Sequence, residues 1–169
     1  MEKLLEKIEE YNILNYLLPG IIFTYLLKYY VEVDIFQSNI IEMTFIFYFI
    51  GLTISRFGSA VLEEILKKCK FIKYSDYIDY INAGNKDSFI KKLLISNNVY
   101  RTICAGFILI LILKGVKILI AYFNVETNII YTIAIILSFI LYLESLKKQS
   151  NFIVKRVNKV KSEENKMND

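Results

Sequence analysis

Arg56, Lys114, Lys117 and Lys28 are the chemically conspicuous residues of this 169-residue chain, because each lies inside a run of otherwise apolar sequence. A buried cation needs an acidic partner, a water-filled cavity or a route for its side chain to the headgroups. Arg56 has two candidate partners, in its own or a neighbouring subunit: Glu63, two turns along its own helix and too far for an i,i+4 pair, and Glu144, at a plausible depth at the end of a later one. Either an Arg56 pair with Glu63 or Glu144 forms an inner polar lock, or Arg56 snorkels alone. Lys114 and Lys117 share a helix face three residues apart, and Lys28 lies near the end of the first apolar run. These three either line a basic pore or vestibule, or snorkel toward Glu32, Asp34, Glu42 and Glu126.

Other chemistry is absent. The chain has no histidine, so His-based nucleophilic catalysis and His-ligated metals are excluded. No aspartate lies within an apolar run, and neither GxxxxGK[ST] nor GxGxxG occurs. The two cysteines, Cys69 and Cys104, are too few for a disulfide scaffold and read as reduced and inert. The sequence calls for no enzyme, no cofactor and no metal. The net charge of +4 comes without any nucleic-acid recognition motif, so no direct nucleic-acid binding is expected.

The elements carrying these residues are long and apolar. The composition is 55% apolar with a mean hydropathy of +0.41, more than a soluble core of this size hides. A spanning helix needs roughly 20 mostly apolar residues. Four segments qualify: 13–31, 43–62, 102–122 and 127–143, the last without a single charge. Met1 to Tyr11 mixes lysines with glutamates and is followed by no small-residue cleavage site, so no signal peptide is expected. Seventeen of the 21 Lys and Arg residues fall in the N-terminal flank, the middle segment 63–101 and the tail 144–169. The intervening loops at 32–42 and 124–126 hold none. The positive-inside rule then puts both termini in the cytoplasm. The expected fold is all-α, a four-transmembrane-helix bundle with short cytoplasmic helices and a basic helical C-terminal tail, in a single domain.

Small residues recur on two of these helices. Gly51, Ser55 and Ser59 line one face of the second span, and Ala134 and Ser138 repeat the spacing in the fourth. Such stripes let helices approach closely, within one chain or between subunits of a homo-oligomer. Pro19-Gly20 interrupts the first span and predicts a kink, a helix start or a hinge. In one version Glu2 to Leu18 is an amphipathic surface helix with Leu4, Ile8 and Tyr11 as its apolar side.

In the cytoplasmic parts, Ser75 to Thr102 reads as two short helices, the first capped by Ser75 and ended by Gly84. The second starts at Asp87 or Ser88 and carries the stripe Phe89, Ile90, Leu93 and Leu94, which needs a partner. The tail extends the last span. Its stripe of Leu146, Ile153, Val157 and Val160 is surrounded by basic residues that either meet anionic lipid or frame a helical seam with a subunit or a cytoplasmic regulatory protein.

Several words of the sequence resemble a known group. They are Asn15-Tyr16-Leu17-Leu18-Pro19-Gly20, Ser55-Arg56-Phe57-Gly58-Ser59 followed by Glu63, Asp76-Tyr77, and Asn98-Val99-Tyr100-Arg101-Thr102. Together they resemble small four-span bacterial membrane proteins that act as effectors of anti-phage defence, of which the Hailong-type membrane effector is the nearest. The resemblance implies an oligomeric, channel-like effector that depolarises the membrane and is held inactive by a partner until infection. The other reading is a non-conducting membrane scaffold that recruits a cytoplasmic partner through its middle segment and tail.

Overall fold

The computed structural model describes residues 12–168, and all regular structure among them is helical. The surface helix expected over Glu2 to Leu18 falls mostly outside the described residues, as do Lys3 and Lys7.

The first helical run is built in three pieces. A π-helical turn, Ile13–Leu17, leads into α1, Leu18–Leu26, and a second π-helical turn, Leu27–Val31, closes it. The cause of the first irregularity is Pro19, which has no N–H to give the carbonyl one turn back. The ladder widens instead, and the Leu18 N–H bonds to the Ile13 carbonyl. The run stops at Glu32, which adopts the left-handed conformation at φ 62°. Within the following loop, the Asp34 carboxylate accepts the Phe36 N–H at 3.0 Å.

The second rod begins at Asn39, whose side chain accepts the Ile41 N–H at 3.0 Å as an N-cap. It comprises α2, Ile40–Phe57, a third π-helical turn, Gly58–Leu62, and α3, Glu63–Lys68. A left-handed residue, Lys70, ends the rod. Next comes α4, Tyr77–Lys86, capped by Asp76 through the Ile78 N–H rather than by Ser75, and continuing past Gly84.

α5 spans Phe89–Phe123 as one 35-residue helix. The short helix expected after Asp87 and the third expected span are therefore continuous. No Gly or Pro separates them, and Thr102 bonds back to the Asn98 carbonyl without breaking the ladder. Asn124, left-handed at φ 49°, ends α5. The last element, α6, covers Thr127–Asn168. At about 1.5 Å per residue, α5 and α6 both exceed the ~30 Å of a bilayer core and project beyond it.

Three helices are long and apolar enough to cross a membrane: Ile40–Lys68, Phe89–Phe123 and Asn128–Ser162. The first run lies outside that set, its apolar sequence diluted by Asn15, Pro19, Lys28 and four tyrosines.

The first run, α2 and α5 make the core. Phe23, Leu27, Val31, Ile54, Leu62, Ala105 and Ile110 form its buried cluster. Two glycines set how closely the first run meets α2. A Cβ on Gly51 would stand 1.7 Å from the Tyr16 carbonyl oxygen, and one on Gly20 would stand 1.9 Å from that of Phe47. Only a hydrogen fits at either position, so backbone meets backbone directly. α6 is peripheral, and no residue of its 18-residue apolar window is buried.

Candidate functional site

The structure gathers most of the charged residues near the membrane-spanning stretches into two ionic nodes, at opposite ends of the core. The first node is centred on Glu63, whose side chain is only 9% exposed. Its Oε2 accepts Arg101 Nη1 at 2.7 Å, and its Oε1 accepts Lys67 Nζ at 2.8 Å and Lys148 Nζ at 3.2 Å. Lys148 also donates to the Ser59 carbonyl at 2.8 Å. That carbonyl belongs to the Gly58–Leu62 π-helical turn, beside which Arg101 packs its aliphatic stem on Gly58. One carboxylate thus ties the α2–α3 rod to α5 and α6. A half-exposed carboxylate, Glu64, balances the excess of cations from 3.3 Å off Lys67 and 3.7 Å off Lys148.

Arg56 is not part of this node. Its Nη2 donates to the Tyr16 hydroxyl at a long 3.4 Å, toward the first helical run, and it pairs with neither expected carboxylate. The physical reason is the π-helical turn between Arg56 and Glu63. In an unbroken α-helix residues seven apart nearly eclipse, at about 100° per residue. The extra residue taken up by a π turn rotates Glu63 off that face. Glu144 is exposed on α6 and forms no ion pair among the described residues.

The second node closes the C-terminal end of the first helical run. Lys117 Nζ donates to the Val31 carbonyl at 2.7 Å and to Glu32 at 2.8 Å. Lys114 Nζ donates to the Tyr30 carbonyl at 2.8 Å and lies 3.9 Å from Glu32. Lys28 pairs with Asp34 at 2.9 Å. The last carbonyls of a helix lack intrahelical donors and carry partial negative charge, so two lysines from α5 cap them. Lys114, Lys117 and Lys28 thus meet acidic loop partners and helix-end carbonyls in the protomer. The Lys117 ammonium beside Glu32 holds that carboxyl below the usual range, and Lys28 with the Phe36 N–H does the same for Asp34.

The small residues divide. Gly51 and Ser55 are buried, with Gly51 pressed on the Tyr16 backbone, and half-buried Ser59 lends its carbonyl to Lys148. Ala134 and Ser138 are exposed among the described residues. Pro19 and Gly20 are buried at the first π-helical turn, and the Gly20 carbonyl accepts the Thr24 hydroxyl at 2.8 Å. Cys69 and Cys104 are exposed free thiols. Among the described residues no group of three possible ligands could hold a metal ion.

On the polar side, α4 docks on the extension of α6. Tyr77 stacks on Phe152 with centroids 5.0 Å apart, and Lys159 is buried on the Asn82 side-chain oxygen. The stripes of Phe89, Leu93 and Leu94 and of Leu146, Ile153, Val157 and Val160 stay exposed.

Sequence reasoning named Glu32 as a partner for the lysines but missed Arg101, Lys67 and Lys148 as node members. A signal existed for Arg101, the last charge before the apolar stretch of α5. No family model, curated protein or solved structure matches this chain.

Proposed function

We propose that the chain is an oligomeric, channel-like effector of a bacterial inner membrane that depolarises it during anti-phage defence. In this reading both termini are cytoplasmic, the first helical run is a fourth span, and a cytoplasmic protein keeps the assembly silent. The resemblance to Hailong-type effectors supplies the biological setting.

The observation that carries the reading is the Glu63 node. A nearly buried carboxylate shared by Arg101, Lys67 and Lys148 is costly to desolvate and costly to break. A passive anchor gains little from it, whereas a gate gains a discrete element with paired and unpaired states. Lys148 couples the node to α6, whose apolar face is free to meet another subunit through Ala134 and Ser138. The core between the nodes is filled by Phe23, Leu27, Ile54 and Ile110, so a conduction path would run between protomers. Arg56, whose one hydrogen bond among the described residues is a long one to Tyr16, is a charge within the span available to such a path.

The test is membrane potential after induction of this single protein in bacteria, read with a voltage-sensitive dye alongside colony counts. Depolarisation that Glu63→Gln alters at equal membrane abundance supports a gated channel. Unchanged potential at full insertion, with and without co-expressed neighbouring proteins, rejects it.

A second reading, a non-conducting scaffold, is favoured by one observation. Two apolar stripes, on the start of α5 and on the α6 extension, are exposed in the part of the molecule beyond the apolar spans. Grafting residues 63–101 and 144–169 onto an inert membrane anchor separates the readings, since a scaffold keeps its activity and a channel loses it.

A further inference from the structure

An open groove of about 470 Å³ runs between α3 and α6, lined by Glu64, Lys67, Lys148, Asn151, Phe152, Val154 and Lys155. We propose that it binds the phosphate of an anionic phospholipid of the cytoplasmic leaflet, which rests on the orientation given above.

Three observations support this. The first is depth. The groove begins where the apolar stretches end, at Glu63 on one wall and Lys147 on the other, which is headgroup level for a spanning helix. On its membrane side α6 leaves Ile140, Leu143 and Leu146 uncovered for acyl chains.

The second is donor supply. An ammonium has three N–H donors. Lys67 uses two, on Glu63 and Glu64, and Lys148 uses two, on Ser59 and Glu63. Glu64 lies 3.7 Å from Lys148, beyond hydrogen-bond length. Lys148 therefore keeps one donor, while the remaining side of the Lys67 ammonium meets the Tyr74 ring at 5.0 Å; Lys155 is exposed with no hydrogen bond among the described residues, and Asn151 adds an amide. Lys148, Asn151 and Lys155 fall at i, i+3 and i+7, on one face of α6.

The third is charge. Three lysines line the groove against one carboxylate, and the Glu63 carboxylate beneath them is already matched by Arg101. A phosphodiester brings the missing negative charge without displacing Glu63. It would fasten α6 to α3 through the lipid, beside the node that couples the two helices.

Native mass spectrometry of the full chain in mild detergent tests this, with phosphatidylglycerol and phosphatidylcholine as probes. Phosphatidylglycerol should be retained preferentially. Lys155→Gln should weaken that retention about fivefold, the worth of one basic residue at an anionic surface. Asn151→Ala should weaken it as well, and Lys161→Gln, outside the groove, should leave it unchanged. Equal losses at Lys155 and Lys161 overturn the site in favour of diffuse attraction by the tail. Full displacement by inorganic phosphate overturns a lipid site in favour of a soluble anion. Labelling of Cys69 by an impermeant maleimide on intact cells overturns the orientation and hence the leaflet. Loss of lipid preference with Cys69 protected overturns the groove itself.

Discussion

Arg101 Nη1 lies 2.7 Å from Glu63 Oε2, and Arg101 Nε beside it is buried with no acceptor. The pair is therefore single-pronged, and the guanidinium depends on Glu63 for its short charge-assisted bond. Removing the arginine leaves a carboxylate that two lysines still reach, while removing the carboxylate leaves three cations facing one another. Glu63→Ala should thus destabilise more than Arg101→Ala. Breaking a buried pair from one side costs about 3–5 kcal/mol. Glu144→Ala, at an exposed carboxylate without an ion pair among the described residues, should stay within about 0.5 kcal/mol. Thermal unfolding in detergent checks the order, and equal effects at Glu63 and Glu144 would remove the node from the account of stability.

Gly51 gives the sharpest steric prediction. Its place against the Tyr16 carbonyl leaves no room for a methyl group, and the obstacle is backbone rather than a flexible side chain. Gly51→Ala should part the first helical run from α2, at a cost of about 1–3 kcal/mol or more. Gly115 has nothing within 4 Å of its would-be Cβ. Gly115→Ala should be neutral or stabilise by up to about 1 kcal/mol through helix propensity. Opposite shifts in melting temperature are expected, and a tolerated Gly51→Ala would show that the two helices can slide apart freely.

Sequence pattern revealed the helical class and the apolar stretches, because hydrophobic runs and capping residues are local signals. It also singled out Gly51, which meets the Tyr16 backbone, and Lys114 and Lys117, which meet the carbonyls that end the first run. What it could not reveal was rotation about a helix axis. The Gly58–Leu62 π turn carries no sequence mark of its own, yet it turns Glu63 away from Arg56 and toward Arg101. Likewise Lys159 reads as one more solvated tail lysine, and only the docking of α4 buries it on Asn82. The break in the first run was better marked, since Pro19 forces a ladder change wherever it sits inside a helix.

Acid should loosen the node of Glu32 and Asp34. Glu32 and Asp34 both have folded-state values below their ordinary 4.5 and 3.8, held there chiefly by Lys117 and Lys28. A depressed carboxylate contributes stability that is complete above its unfolded value and is lost as pH falls through the folded one. The melting temperature should therefore hold down to the ordinary carboxylate range and decline below it. Both groups face solvent, so the decline should be shallow and sensitive to salt. Glu32→Gln should flatten it and lower the plateau slightly. An acid limb unchanged in Glu32→Gln would assign the decline to other carboxylates.

The α4 helix rests on α6 through the Tyr77–Phe152 stack and Lys159 on Asn82, and touches the start of α5 where Gly84 faces Lys91, so its stability should be local and separable from the core. Phe152→Ala removes the partner of Tyr77, at a cost of about 0.5–1.5 kcal/mol for the aromatic pair beyond the area it covers. Hydrogen exchange should then quicken across Tyr77–Lys86 by about tenfold and stay unchanged around Ile54 and Ala105, which are buried in the core. Tyr80 reports the same event, because burial beside Tyr77 raises its hydroxyl above the ordinary value and undocking should bring it back down. If exchange quickened in the core as well, α4 would be part of the cooperative unit rather than an arm resting on it. Movement of this arm would then reach Glu63 through α6 and Lys148.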